Sequence, residues 1–139
     1  MVARQITISI GGNRFLAALE EEVAPRSCEW LLRQLPFRGK LIHVRWSGEA
    51  CWVPMGNLKV DLPQEEATRH PRPGQLILYP GGISETEILI AYGAVAFASK
   101  AGPLAGNPLL TITEKLDQLA EIGRHILWHG SSDLIIELA

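Results

Sequence analysis

The chain has 139 residues with 47% hydrophobic and 20% charged side chains, the composition of a compact globular chain and not of a disordered or repeat protein. Thirteen Lys and Arg against fifteen Asp and Glu leave a net charge of −2, which excludes a dedicated nucleic-acid binder. No apolar window approaches the ~20 residues that cross a bilayer, so no membrane partner is expected.

A folded chain of this size removes about two thirds of its unfolded surface from water, and one domain over residues 1–139 is expected. The first fifteen residues turn polar at Gly11-Gly12-Asn13 and lack the apolar core and cleavage-like site of a signal peptide, so a cytoplasmic location is expected. Cys28 and Cys51 lie far apart without CxxC spacing, which in that compartment predicts two reduced thiols.

Gln5 to Ile10 alternates Ile6, Ile8 and Ile10 with polar residues, the period of a half-buried strand. Gly11-Gly12-Asn13 predicts a hairpin turn into a second strand over Phe15 to Leu19. After Glu20-Glu21-Glu22, the segment Pro25 to Leu35 places Cys28, Leu31, Leu32 and Leu35 at helical spacing, with Pro25 in the first turn and Pro36 ending the run. Leu41 to Trp46 and Ala50 to Met55 form a second predicted hairpin around Ser47-Gly48-Glu49. Asn57 to Leu62 is a further expected strand, followed by a loop punctuated by Pro63, Pro71, Pro73 and Gly74. Gln75 to Tyr79 and Glu87 to Tyr92 are strands separated by Pro80-Gly81-Gly82, and Ser99 to Pro108 reads as a structured loop. Thr113 to Leu127 carries Leu116, Leu119, Ala120, Gly123 and Leu127 on one face, a second helix with Thr113 as candidate cap. Leu134 to Leu138 is a closing strand. Many short strands with two separated helices predict a closed or nearly closed β-barrel, and a doubly wound fold is excluded because no crossover helices interleave the strands.

The strand hairpin, acidic step and helix opening Ala24-Pro25-Arg26-Ser27-Cys28-Glu29 resemble the first hairpin and helix of cyclophilins. Residues 42–49, Tyr79-Pro80-Gly81-Gly82 and Gly102-Pro103-Leu104-Ala105-Gly106-Asn107 are similar to a bacterial family of cyclophilin-like proteins of unknown function, over nearly the whole chain. The resemblance implies a mainly β fold, a closed cyclophilin-like eight-stranded barrel with two short helices, and no particular activity. Cyclophilin prolyl isomerases carry Phe-His-Arg on a barrel strand and then Phe-x-Met-x-Gln-Gly-Gly. Here Val44 stands where that Arg would follow His43, so Arg45 lies one residue later and alternation turns it to the face opposite the family's Arg, and no Phe-x-Met-x-Gln pattern follows Trp46. The isomerase motif is not matched.

His43, Arg45, Trp46, Glu49 and Trp52 form the densest polar and aromatic cluster, on one predicted hairpin. On a regular strand His43 and Arg45 share a face and Trp46 takes the other, unless a bulge re-aims one of them. With Glu85 and Tyr92, these residues are the expected lining of a groove for a small anionic or amide-containing molecule. Arg45 would hold a carboxylate or phosphate, a tryptophan would wall an apolar group, and Glu49 or His43 would discriminate polar groups. The plainer alternative makes the tryptophans core or interface anchors and His43 a hydrogen-bonded barrel residue. Ser84, Glu85 and Glu87 follow Gly81-Gly82, whose amides are a candidate anion nest, though Pro-Gly-Gly lacks the lysine and helix of a phosphate loop. Glu85 and Glu49 are a candidate acid–base pair, and solvated carboxylates are the simpler account.

His125 and His129 stand four apart on the second helix, but Ile126 and Leu127 replace any HExxH glutamate, so neither a metal nor a cofactor is expected. Cys28 sits on an apolar helix face and is expected to be a packed thiol. Two alternatives to a binding protein remain at this stage. One is an enzyme, either a prolyl isomerase or an amide-directed hydrolase using Glu49 and His43. The other is a homo-oligomeric assembly protein, which four tryptophans in a small chain would serve.

Overall fold

A computed structural model describes residues 4–139, so the part of the leader expectation that falls on residues 1–3 lies outside it. Strands β1 (Gln5–Ile10) and β2 (Asn13–Leu19) form the first hairpin. Gly11 and Gly12 turn it with φ of +55° and +89°, the doubly left-handed geometry of a tight two-residue turn that glycine adopts without strain. Helix α1 (Pro25–Gln34) follows, then β3 (Phe37–His43), β4 (Gly48–Pro54), β5 (Gln75–Tyr79), β6 (Glu87–Val95), the short pair β7 (Ala98–Ser99) and β8 (Gly102–Pro103), β9 (Asn107–Ile112), helix α2 (Leu116–His129) and β10 (Ser132–Leu138).

Among the described residues eight strands close a barrel in the order β1, β10, β3, β4, β6, β5, β9, β2, and β2 pairs back with β1. Every pairing is antiparallel. The predicted mainly β barrel with two helices is therefore the observed architecture, and its closure removes the exposed strand edges that an open sheet would carry.

The barrel interior is filled by alternate residues of each strand, among them Ile6, Ile8 and Ile10 of β1, Ile88, Ile90 and Tyr92 of β6, and Leu134 and Ile136 of β10. Helix α2 lays Leu119, Ile122, Gly123 and Ile126 over Ile10, Leu41, Cys51, Ile90 and Tyr92. Its buried face thus runs through Ile126, while Leu127, expected there, is half exposed. Gly123 is the point of closest approach, because a Cβ there would overlap the Tyr92 ring. Cys28 and Cys51 are free and buried, as expected, and burial pushes both thiols up to about 12.

Several boundaries differ from those predicted. β3 begins at Phe37, four residues early, because Arg38 and Lys40 point outward while Gly39 lies under Val53, an alternation disguised by its charges. It also ends at His43, so Arg45 and Trp46 leave the strand for the connecting loop. Residues 57–62 are irregular and not a strand. The expected loop over 99–108 contains the β7–β8 hairpin and the start of β9, a barrel strand hidden by Pro108. Thr113 does not cap α2; Lys115 occupies the cap position in a left-handed conformation, with no side-chain cap bond.

Helix α1 is capped from a distance. Its cap residue Ala24 offers no side-chain acceptor, and the Glu65 carboxylate instead accepts from the Arg26 and Ser27 amides at 3.0 and 2.8 Å and from the Ser27 hydroxyl at 2.7 Å. Burial opposes the charge on Glu65, but these hydrogen bonds outweigh it and lower the carboxyl below its ordinary value. Asn107 ties the same cluster together, donating to the Ser27 hydroxyl and the Pro63 carbonyl and accepting from the Glu65 amide. The long irregular segment between β4 and β5 is thereby fastened to the barrel.

Candidate functional site

A second apolar layer lies outside the barrel. The odd-numbered face of β6 turns outward, yet Leu89 is buried there with Ala50, Ile77, Tyr79, Phe97 and Leu104, against which Trp52 packs. The segment carrying β7 and β8 covers this face: the Phe97 amide donates to the Arg69 carbonyl at 2.7 Å, and the Ser47 hydroxyl donates to the Ala98 carbonyl at 3.0 Å. Where this cover stops, a groove of about 210 Å³ opens between the loop after β3, the turn before β6 and the β7–β8 hairpin.

The groove gathers five of the seven residues expected to line it: His43, Arg45, Trp46, Trp52 and Glu85. Arg45 and Trp46 sit together on the loop, with the guanidinium 5.9 Å from the Trp46 ring centre, within reach of a cation–π contact. Departure from the strand lets neighbouring side chains face one cavity, which regular alternation would have forbidden.

Glu49 and Tyr92 are placed elsewhere. At Glu49 the β4–β6 register shifts, so that Tyr92, Gly93 and Ala94 lie opposite it. The Glu49 carboxylate accepts the Ala94 amide at 2.9 Å, and its side chain fills the space that a Cβ on Gly93 would need. This carboxylate repairs a break in the ladder. Tyr92 points into the barrel, where its hydroxyl lies 2.7 Å from His43 Nε2, while His43 Nδ1 lies 2.8 Å from the Val44 carbonyl. A carbonyl only accepts, so Nδ1 carries a proton and donates it to the Val44 carbonyl, and in that tautomer Nε2 accepts the hydrogen bond of the Tyr92 hydroxyl. Both His43 nitrogens are engaged in the fold, and neither His43 nor Glu85 is hydrogen-bonded to Glu49.

The structure adds Glu87, Ser84 and Lys100 to the lining. Glu87 starts β6 on its outward face, in register with Pro54 of β4 and Tyr79 of β5. It is 5% exposed, and no ion pair among the described residues reaches it. Burial, and secondarily the charge of Glu85, push its carboxyl up to about 8. At neutral pH it is therefore mainly a carboxylic acid, a hydrogen-bond donor as well as an acceptor. Two residues from Glu85, it had a legible signal in the alternation of the strand, since residues 87, 89 and 91 share a face. Lys100, on a hairpin tip, had none.

The amides that follow the Gly81-Gly82 turn are engaged within the fold. The Ile83 and Ser84 amides donate to the Tyr79 hydroxyl at 3.0 and 3.4 Å, and the Thr86 amide donates to the Gly56 carbonyl. A broad trough of about 1030 Å³ runs between residues 56–61 and 80–86, with Gly81 and Gly82 in its lining. Of the four tryptophans, Trp30 and Trp52 pack partly against the apolar clusters, while Trp46 and Trp128 are largely exposed. His125 and His129 stack on each other, and no metal-ligating group of three occurs among the described residues. Among the described residues no helix is long and apolar enough to cross a membrane.

The barrel is similar to that of McbB, solved in complex with tryptophan, with a TM-score of 0.74 and 20% identity; the match covers 96% of this chain and 44% of McbB. It is also similar to the hypothetical protein AF2241 from Archaeoglobus fulgidus, with a TM-score of 0.65 and 15% identity over 99% of this chain and 96% of that one. The chain thus spans less than half the length of McbB, and at these identities the likeness is one of fold. No curated protein matches the sequence. Residues 6–137 match the model of a single family across all ten strands and both helices described above, and the chain belongs to that family, DUF3830, proteins of unknown function.

Proposed function

We propose that the protein binds a small anionic or amide-containing molecule in the groove beside Arg45, Trp46, Trp52, Glu85 and Glu87. The observation that carries this is Glu87, a residue only 5% exposed, whose carboxyl pairs with no protein group among the described residues and keeps its remaining accessible surface in the groove. A buried polar group is normally hydrogen-bonded within the fold, and one left open to a groove is completed by what the groove takes up. In its neutral form Glu87 donates to an amide or carboxyl oxygen, Arg45 supplies positive charge, and the tryptophans wall the apolar part. McbB, of which the matched part is 44%, was solved in complex with tryptophan, and a small-molecule reading of this groove is in keeping with that. The cyclophilin-like placement of the fold rests on the residue 24–29 resemblance, and the loop position of Arg45 keeps it apart from the isomerase arrangement.

Thermal-shift and tryptophan-fluorescence titrations with a panel of small carboxylates and carboxamides test this. At least one compound is expected to raise Tm saturably, with Arg45→Ala and Trp46→Ala weakening it about tenfold. A panel without any shift, or a hit that both variants leave unchanged, overturns the proposal.

A further inference from the structure

We propose, resting on the small-molecule reading above, that the ligand is a zwitterion of amino-acid size, its ammonium group seated at Glu87 beside Glu85 and its carboxylate at Arg45 and Lys100. Two carboxyls and two cations line one groove, which becomes complementary to a molecule bearing both charges once Glu87 gives up its proton to it. Its volume of about 210 Å³ lies below the range of drug-sized sites, so the molecule is compact. Trp46 and Trp52, facing the same space, select an aromatic or other apolar side chain.

Glu87 distinguishes an ammonium from a neutral donor. Arg45 and Lys100 share the groove with it, yet neither forms an ion pair with it. Its immediate strand neighbours supply no cation: Trp52 and Pro54 come from β4, and Tyr79 from β5 has its hydroxyl occupied by the Ile83 and Ser84 amides. The remaining titratable groups on the groove are Glu85, Arg45, Lys100 and His43, whose ring nitrogens are both engaged. A ligand ammonium would be the counter-charge that the fold omits. Because burial keeps Glu87 protonated at neutral pH, up to about 8, ammonium binding displaces that proton, and uptake of the ligand is coupled to proton release.

Calorimetry with L-phenylalanine, 3-phenylpropionate and phenethylamine separates the parts, since the second lacks the ammonium and the third the carboxylate. L-Phenylalanine is expected to bind, with each analogue at least tenfold weaker. At pH 7 the binding heat should vary with the buffer's ionisation enthalpy, reporting a proton released. Glu87→Gln, and separately Glu85→Gln on the exposed rim, should weaken L-phenylalanine and phenethylamine while leaving 3-phenylpropionate within about twofold; circular dichroism confirms the fold of each. Equal affinity for 3-phenylpropionate and L-phenylalanine, or no released proton, overturns the ammonium site while leaving an anion-binding groove intact. Silence from all three compounds overturns the zwitterion class, and the wider carboxylate and carboxamide panel then decides separately whether the groove binds small molecules at all.

Discussion

Strand β6 is buried on both faces, and its two faces treat polar side chains in opposite ways. Inward, Ile88, Ile90 and Tyr92 join the barrel core, and the one polar atom, the Tyr92 hydroxyl, is paired with His43. Outward, Leu89 and Ala91 are equally buried, but Glu87 at the strand's start has no partner. The fold pairs the polar group of the inner face with a side chain and leaves the one that faces the groove accessible there, without a protein partner. Burial alone therefore does not single out a residue in this barrel; a carboxyl kept accessible on an otherwise buried face does.

The largest expected effects test whether the two faces are equally well packed. Ile90→Ala on the inner face and Leu89→Ala on the outer face, both almost wholly buried, are each expected to cost about 2–5 kcal/mol in urea denaturation. A loss below about 1 kcal/mol for Leu89→Ala would show the outer layer to be loose and would break the comparison.

Next comes the pH dependence of stability. The Glu87 carboxyl is raised from 4.5 to about 8, so between those values the folded state holds a proton that the unfolded state has lost. Stability must then fall as pH climbs through this window, by at most about 1.4 kcal/mol per pH unit, and level off above it. Glu87→Gln should flatten that slope, measured by urea denaturation at pH 5, 6.5 and 8. The inner face offers a counterpart of smaller size: Gly123→Ala overpacks the Tyr92 ring at a cost of about 1–3 kcal/mol, offset by about 1 kcal/mol of helix propensity. It is expected to destabilise without altering the pH profile.

The inner face was far more legible in the sequence than the outer one. Ile6, Ile8 and Ile10 alternate with polar residues, so β1 and the barrel follow from period two alone. β6 carries no such contrast, since both its faces are apolar and its outer layer depends on Phe97 and Leu104, which arrive from a segment that reads as loop. The groove was legible in part for the same reason. His43, Arg45, Trp46, Trp52 and Glu85 share a cavity because β3 ends at His43, three residues sooner than its hydrophobicity suggests, and no local pattern announces that end. Glu49 looked like a site residue because it stands beside them in sequence, but a register shift against β6 directs its carboxylate to a backbone amide. Glu65 and Asn107, which fasten α1, act across 38 and 80 residues, beyond any short-range signal.

The smallest effect on stability should belong to the residue with the clearest exposure on the groove. Trp46 is 54% exposed and lies on a loop, so Trp46→Ala removes little buried surface and is expected to change stability by no more than about 0.5 kcal/mol. Trp52, which packs against the outer apolar cluster, should cost more when truncated because its removal opens a cavity beneath the groove. The two variants thus separate lining from support: both are expected to weaken ligand binding, but only Trp52→Ala should shift the denaturation midpoint by more than about 1 kcal/mol. Equal midpoints for the two variants would mean that the outer layer does not support the groove floor, and that the buried outer face of β6 is packed independently of the site above it.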